Sequence, residues 1–91
     1  MFIALVMIRC NPEEVAQAAR AIVTEDGVQE VYSITGEWDL VAMVRVPEWE
    51  DINRIVTEHI HQVEGLQRTE THVAFQVLSK SDLEAAYQGF E

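Results

Sequence analysis

An internal repeat restricts the possible folds of this chain more than any other feature of its sequence. The segment FIALVMIRC, which begins at Phe2, resembles LVAMVRVPE, which begins at Leu40, an offset of 38 residues (40 − 2). The same offset relates DGVQ at Asp26 to EGLQ at Glu64. A repeat of this kind indicates one supersecondary unit used twice. Each copy reads strand, helix, strand, so the sequence predicts the order βαββαβ.

The predicted helices have recognisable ends and one apolar face each. Asn11 is a candidate N-cap of the first helix, Pro12 suits its first position, and Gly27 is a candidate C-cap. The second helix is predicted within residues 47–65. The first helix has its apolar residues at the spacing of one helical face, namely Val15, Ala18, Ala19 and Ile22.

The predicted strands fall into two classes. Phe2–Ile8 and Leu40–Val44 are apolar at consecutive positions, whereas Val28–Thr35 and Leu66–Leu78 mix polar and apolar residues. Because side chains alternate between the faces of a strand, the first two strands must be covered on both faces and therefore lie centrally. The sequence predicts an α+β fold, a ferredoxin-like βαββαβ sandwich with sheet order 4-1-3-2.

One face of this sheet is predicted to lack helices. Right-handed crossovers place both helices on the same face, so the central strands expose Leu, Val, Ile and Met side chains on the other. A patch of that size indicates a protein interaction surface. A 91-residue chain buries only about 60–65% of its unfolded surface, so a partner would add to a small core. We expect dimerisation through the open sheet face, as a dimeric α+β barrel.

Charge and cysteine content argue against several classes of function. The net charge is −10, from 16 acidic and 6 basic residues, and the basic residues are scattered. Nucleic-acid affinity depends on Lys and Arg, so neither direct nucleic-acid binding nor docking on an anionic membrane is expected. The apolar start lacks a preceding basic region and a cleavage site, which predicts a strand and not a signal peptide. A single cysteine, Cys10, excludes an internal disulfide and fits a cytoplasmic protein.

The histidines do not follow a metal-ligand pattern. His59 and His61 are two residues apart on a predicted helix, roughly 200° around its axis, so they cannot bind the same ion. His72 is alone on a predicted strand, without a carboxylate or cysteine at ligand spacing. Neither a metal nor another cofactor is expected.

Two polar stretches are candidates for a binding site: the turn TGEWD and the pair of threonines at the start of the fourth strand. Their residues are Gly36, Glu37, Trp38, Asp39, Thr69 and Thr71. A glycine turn can present N–H groups to a carboxylate, Asp39 can pair with an ammonium group, and Trp38 can form an apolar wall, as a bound amino acid requires. Alternatively, Gly36 only supplies an unusual backbone angle, Trp38 packs on a neighbour and the threonines suit an edge strand. The residues alone leave both interpretations open.

The chain resembles the effector-binding and oligomerisation domain of Lrp/AsnC regulators, also called the RAM domain, from Ile3 to about Leu78. The similar blocks are GVQEVYSITGEWDLVAMV, with Gly-Val and then Gly-x-aromatic-Asp, and EGLQRTETHVAF, with Gly-Leu and then Thr-x-Thr. The resemblance implies sheet-to-sheet dimers that join into rings, with small effectors, typically amino acids, bound between dimers. It also implies that the Gly-x-aromatic-Asp loop and the Thr-x-Thr region contribute to that site. The corresponding positions here are Gly36, Glu37, Trp38 and Asp39 in the loop, and Thr69 and Thr71 in the strand.

The resemblance also implies a domain organisation and a function. Residues 1–79 are expected to form the effector-binding domain, and residues 80–91 a short C-terminal helix or tail, because Ser81 and Glu84 have capping-box spacing. Family regulators carry a helix-turn-helix domain ahead of this one, whereas Met1 here abuts the first strand, so we expect a stand-alone member. It would act without enzymatic activity, binding a small amino-acid effector as a homo-oligomer of dimers and modulating amino-acid-responsive transcription, alone or with full-length regulators.

Two other classes of protein use the same fold. Small dimeric α+β-barrel enzymes, of the cofactor-independent monooxygenase or isomerase type, place a pocket between sheet and helices, where His59, Trp49 or His72 would act. A purely structural oligomerisation module would bind no ligand at all.

Overall fold

The computed structural model describes residues 1–75, 78 and 80–81, and within them four antiparallel strands form one sheet in the order β2-β3-β1-β4. This is the order predicted from the sequence, read from the opposite edge, and it confirms the ferredoxin-like α+β fold. The strands are β1 (Phe2–Cys10), β2 (Val28–Ser33), β3 (Leu40–Val46) and β4 (Leu66–Val73). The helix predicted to begin at Ser81 lies outside the described residues beyond its first position.

The first helix begins later than its sequence signals predict. Helix α1 spans Val15–Val23 and follows a 3-10 turn at Pro12–Glu14. Asn11 occupies the N-cap position of this turn, but its side chain makes no capping hydrogen bond. It is instead drawn toward β4, because its Oδ1 accepts a hydrogen bond of 2.6 Å from Nε2 of Gln67. The prediction that the Asn11 side chain caps the helix is therefore wrong.

Gly27 lies in the turn into β2 and not at the end of α1, which ends at Val23. Its φ is +95°, and its carbonyl accepts a 2.8 Å hydrogen bond from the N–H of Arg45. A Cβ at this position would lie 2.8 Å from side-chain carbons of both Ile55 and Val46. Backbone conformation and close packing on the core, and not helix capping, thus require glycine here.

The second helical segment changes its geometry along its length. Helix α2 spans Trp49–Arg54 and continues as a π-helical turn at Ile55–His59 and a 3-10 turn at Ile60–Gln62. π-helical turns occur frequently at functional sites. None of the described helices combines the length and hydropathy that a transmembrane span requires. The buried residues of the segment are Ile52, Ile55, Val56 and Ile60.

The two faces of the sheet differ as the sequence predicts. On the helix-covered face, alternate residues of β1 and β3 are buried, namely Ala4, Val6, Ile8, Leu40, Ala42 and Val44. Residues paired across antiparallel strands share a face, so the intervening side chains point to the other side. On this open face the apolar side chains are Ile3, Leu5, Met7, Val41 and Met43. Leu5 is 40% exposed. We call these five side chains and their neighbours on the same side the open sheet face.

Candidate functional site

The TGEWD stretch forms the connection between β2 and β3, as its sequence predicts. We call residues 34–39 the β2–β3 turn. Its base is closed by a 3.0 Å hydrogen bond from the N–H of Ile34 to the carbonyl of Asp39. The N–H of Asp39 donates to the carbonyl of Ile8 on β1 at 2.9 Å. The turn is therefore fixed to the C-terminal end of β1 as well as to its own two strands.

The Asp39 side chain strengthens this attachment. Its Oδ2 accepts a 2.9 Å hydrogen bond from the backbone N–H of Cys10. The ladder between β1 and β4 shifts register between Arg9 and Cys10, so the Asp39 carboxylate provides an acceptor where the strand pairing is irregular. One oxygen of the predicted ammonium-binding carboxylate thus has a structural role, whereas no described residue donates a hydrogen bond to Oδ1.

The same contact affects the buried cysteine. Burial raises the pKa of the Cys10 thiol, and the negative charges of Asp39 and Glu14 raise that pKa further. Cys10 as a whole is only 2% exposed. A thiol that is buried and protonated is a poor nucleophile, so Cys10 packs in the core at the strand end.

Trp38 contacts a cation that is not among the predicted site residues. The guanidinium carbon of Arg68, on β4, lies 5.0 Å from the centroid of the Trp38 ring. Nη1 of Arg68 is 3.9 Å from Oε1 of Glu37, and both side chains are more than half exposed. The contact joins residues 38 and 68, which are far apart in the sequence, so no local pattern predicts it. The only sequence signal for Arg68 is its place directly before the Thr-x-Thr pair.

Gly36 lies at an open part of the turn. Its φ is +104°, which confirms the predicted need for an unusual backbone angle. Apart from Gly36 itself and its two chain neighbours, no heavy atom of the described residues lies within 4 Å of a Cβ built at this position. The described part of the protomer therefore leaves the space next to Gly36 unfilled.

Thr69 and Thr71 lie on the edge strand, paired with Ile8 and Val6 of β1. Since both partners are buried beneath the helices, the two hydroxyl groups lie on the helix-covered face of the sheet. Oγ1 of Thr69 is 2.8 Å from Nε2 of His61, in the 3-10 turn before β4. His61 is a second residue that the sequence analysis did not associate with the site.

One protomer does not bring all six predicted site residues together. Arg68 is paired with Arg9 and so lies on the open sheet face. It therefore points to the side of β4 opposite Thr69 and Thr71. The structure gathers Glu37 and Trp38 around Arg68, while the threonines lie with His61 on the other side.

The other two histidines have carboxylate partners of their own. Nδ1 of His59 is 3.0 Å from Oε2 of Glu25, and its side chain is 39% exposed. Nε2 of His72 is 3.3 Å from Oε2 of Glu70 on the same strand. The three histidines thus have three different partners.

A groove of about 330 Å³ lies between α1 and the segment that precedes β4. It is lined by Gln17, Ala18, Arg20, Ala21, Val63 and Glu64. None of His59, Trp49 and His72, the residues that the enzyme alternative requires, lines this groove. It is also separate from the β2–β3 turn.

Residues 3–83 match the family described as the Lrp/AsnC ligand binding domain. An uncharacterized HTH-type transcriptional regulator of Pyrococcus abyssi, PYRAB16920, is 35% identical over 80 residues, which cover 85% of this chain and 53% of the regulator. The chain spans about half the length of the curated relatives that it matches.

Solved structures show the same fold. TTHA0845 from Thermus thermophilus is 41% identical with a TM-score of 0.83, covering 88% of this chain and all of that one (100%). The transcriptional regulator NMB0573 of Neisseria meningitidis, solved in complex with L-Met, has a TM-score of 0.75 at 12% identity, covering 86% of this chain and 52% of that one. This second similarity is one of fold alone.

Proposed function

Because the chain belongs to the Lrp/AsnC ligand-binding domain family, we propose that it is a non-enzymatic module that binds a small amino acid and assembles into oligomers that modulate transcription regulators. The observation that carries this proposal is the match to a ligand-binding domain over residues 3–83. Two relatives, whose matches cover 85% and 79% of this chain, are uncharacterized HTH-type transcriptional regulators. The assembly and the effector site are supported by separate features of the structure.

The open sheet face supports dimerisation with a second copy. Its apolar centre is formed by alternate residues of β1 and β3, as described above. The strand pairings place Arg9, Arg45 and Arg68 on this face together with Glu30 and Glu70. The acidic excess behind the net charge of −10 is therefore concentrated elsewhere. Two such faces can approach each other without the repulsion that the rest of the surface would cause.

The placement of the predicted site residues supports an effector site between protomers. Trp38 and the threonine pair lie on opposite sides of β4, so an effector that contacts both requires a second protomer. In a ring of dimers, the β2–β3 turn of one subunit would meet the helix-covered edge of β4 of another. The effector would then strengthen the association between dimers.

Calorimetric titration with each of the twenty L-amino acids tests effector binding, and light scattering with and without the bound amino acid tests assembly. We expect saturable heat with one amino acid or a small related group, and a mass above that of a dimer. The absence of heat with every amino acid would refute effector binding. A monomer mass at micromolar concentration would refute the assembly.

One observation favours a second candidate, a structural oligomerisation module without a ligand. The hydrogen bond from Cys10 to Asp39 and the contact of Trp38 with Arg68 account for both turn side chains within one protomer. The titrations separate the two candidates, because the structural module would assemble normally and bind no amino acid.

A further inference from the structure

The geometry points to Arg68 as the residue that binds the carboxylate of the effector, with Trp38 holding its guanidinium group in position. This inference rests on the proposed function and adds to it both a residue and a requirement on the ligand. The effector must carry a free carboxylate, and an otherwise identical molecule without that charge must bind more weakly.

An aromatic ring and a carboxylate lie near the Arg68 guanidinium, but no described residue forms a hydrogen bond with it. Its central carbon lies 5.0 Å from the centre of the Trp38 ring, within the range of a cation–π attraction. Among the described residues, its carboxylate neighbour is Glu37, with Nη1 and Oε1 3.9 Å apart. A charge-assisted hydrogen bond spans about 2.7–2.9 Å. Within the described part of the chain, the planar N–H donors of Arg68 are thus preorganised and free to bind a carboxylate through two parallel bonds.

The surroundings of Arg68 favour an anion at this point of an acidic protein. Arg9 is its direct partner on β1, so two guanidinium-bearing residues are neighbours on the open sheet face. Like charges directly opposite each other on neighbouring strands destabilise a sheet. A bound carboxylate would relieve this repulsion. The unfilled space at Gly36 and Oδ1 of Asp39 belong to the same turn, so the ammonium group of the effector has an acceptor available there.

In this arrangement, the Glu37 carboxylate competes weakly with the effector carboxylate for Arg68. Its carboxylate lies near Arg68 in the absence of effector, and both side chains are largely in water, at 65% and 59% exposure. An exposed pair of this kind contributes little to stability. A bound effector carboxylate would displace Glu37, so removing the Glu37 charge should strengthen effector binding by a few-fold.

The test is calorimetric titration of four proteins: wild type, Arg68→Gln, Glu37→Gln and Arg54→Gln. Arg54 is a matched control, because it is also an exposed arginine near a carboxylate, that of Asp51 at 3.3 Å, but lies on α2. The probes are the L-amino acids that bind the wild type and the C-terminal amide of each, for example L-methionine and L-methioninamide. Thermal unfolding and light scattering of each variant check its fold and its mass.

We expect Arg68→Gln to weaken binding of the amino acid roughly 10- to 100-fold and to leave binding of the amide unchanged. Glu37→Gln should bind the amino acid more tightly, and Arg54→Gln should bind like the wild type. Equal losses for the acid and the amide in Arg68→Gln would overturn the inference, since Arg68 would then act on the shape of the turn.

Other outcomes also separate this inference from the proposed function. Unchanged affinity in a folded Arg68→Gln protein would refute the role of Arg68 and leave effector binding intact. A change in oligomer mass in that variant would assign Arg68 to a contact between protomers and overturn its role in the site. If no amino acid binds the wild type, the proposed function fails and this inference fails with it.

Discussion

The two carboxylate oxygens of Asp39 can have different roles, one in fixing the turn and the other in binding the effector. Oδ2 accepts the Cys10 N–H at 2.9 Å and fixes the turn to β1. In the proposed site, Oδ1 accepts a hydrogen bond from the ammonium group of the effector. A substitution that separates the hydrogen bond from the charge therefore separates the structural role from the binding role.

We expect Asp39→Ala to lower the free energy of unfolding by about 1–3 kcal/mol, because it leaves the Cys10 N–H without its acceptor. Asp39→Asn is the matched control, since its amide oxygen can still accept that hydrogen bond while the charge is lost. Urea unfolding should give Asp39→Asn nearly wild-type stability, and calorimetry should show reduced effector affinity in the same variant. An Asp39→Ala protein as stable as the wild type would contradict the structural role.

The Cys10 thiol predicts a dependence of stability on alkaline pH. Its pKa is raised in the folded protein above the ordinary value of 9.0, first by burial and then by Asp39 and Glu14. Between the unfolded and folded pKa values the unfolded chain has lost the thiol proton and the folded chain has kept it. Stability therefore falls as pH rises through this window.

We expect the wild type to lose more stability than Cys10→Ala when the pH is raised from 7 to above 9.0, the ordinary pKa of the thiol. Other titrating groups affect both proteins alike, so the difference in unfolding free energy between them isolates the thiol. Parallel pH dependence of the two proteins, measured by urea unfolding, would be inconsistent with a raised pKa.

At the scale of elements, β1 and β4 each have two chemically distinct faces. β1 buries one row of side chains beneath the helices and presents the other on the open sheet face. β4 places Arg68 on the open face and Thr69 on the covered one. A change on the open side of β1 should affect association while leaving the core intact.

Leu5 and Val23 allow this expectation to be tested at equal exposure. Leu5 on the open sheet face is 40% exposed and Val23 on α1 is 43% exposed. We expect Leu5→Lys to reduce the assembly toward monomers, because it places a charge within the apolar contact, while Val23→Lys keeps the wild-type mass. Sedimentation velocity measures the difference. Equal masses for the two variants would exclude the open sheet face as the dimer contact.

At the scale of the whole molecule, the overall charge determines whether the chain can bind DNA. The net charge of −10, from 16 acidic and 6 basic residues, repels phosphate backbones. We expect no DNA binding by this chain at physiological salt in a mobility-shift titration. A full-length Lrp/AsnC regulator with its operator is the positive control. Sequence-specific binding below micromolar concentration would contradict this expectation.

The sequence by itself determined the order of the strands, the central position of β1 and β3, and the apolar open face. These properties follow from the repeat and from local periodicity, because alternation along a strand shows which faces must be covered. The sequence also located the β2–β3 turn and the Thr-x-Thr pair, because both are recognisable from residues that are adjacent in the chain. The prediction that Asn11 caps the first helix was wrong because the side chain of Gln67, which is distant in the sequence, donates a hydrogen bond to the Asn11 side chain.

Only the tertiary structure decided how the candidate site residues are arranged. The contact of Trp38 with Arg68 and the bond from Cys10 to Asp39 join residues about 30 positions apart in the sequence. Both depend on strand register and on the irregularity at the end of β1, which local periodicity does not encode. For the same reason, the separation of Trp38 from the threonines follows from the pairing of β4 with β1 and not from the residues themselves.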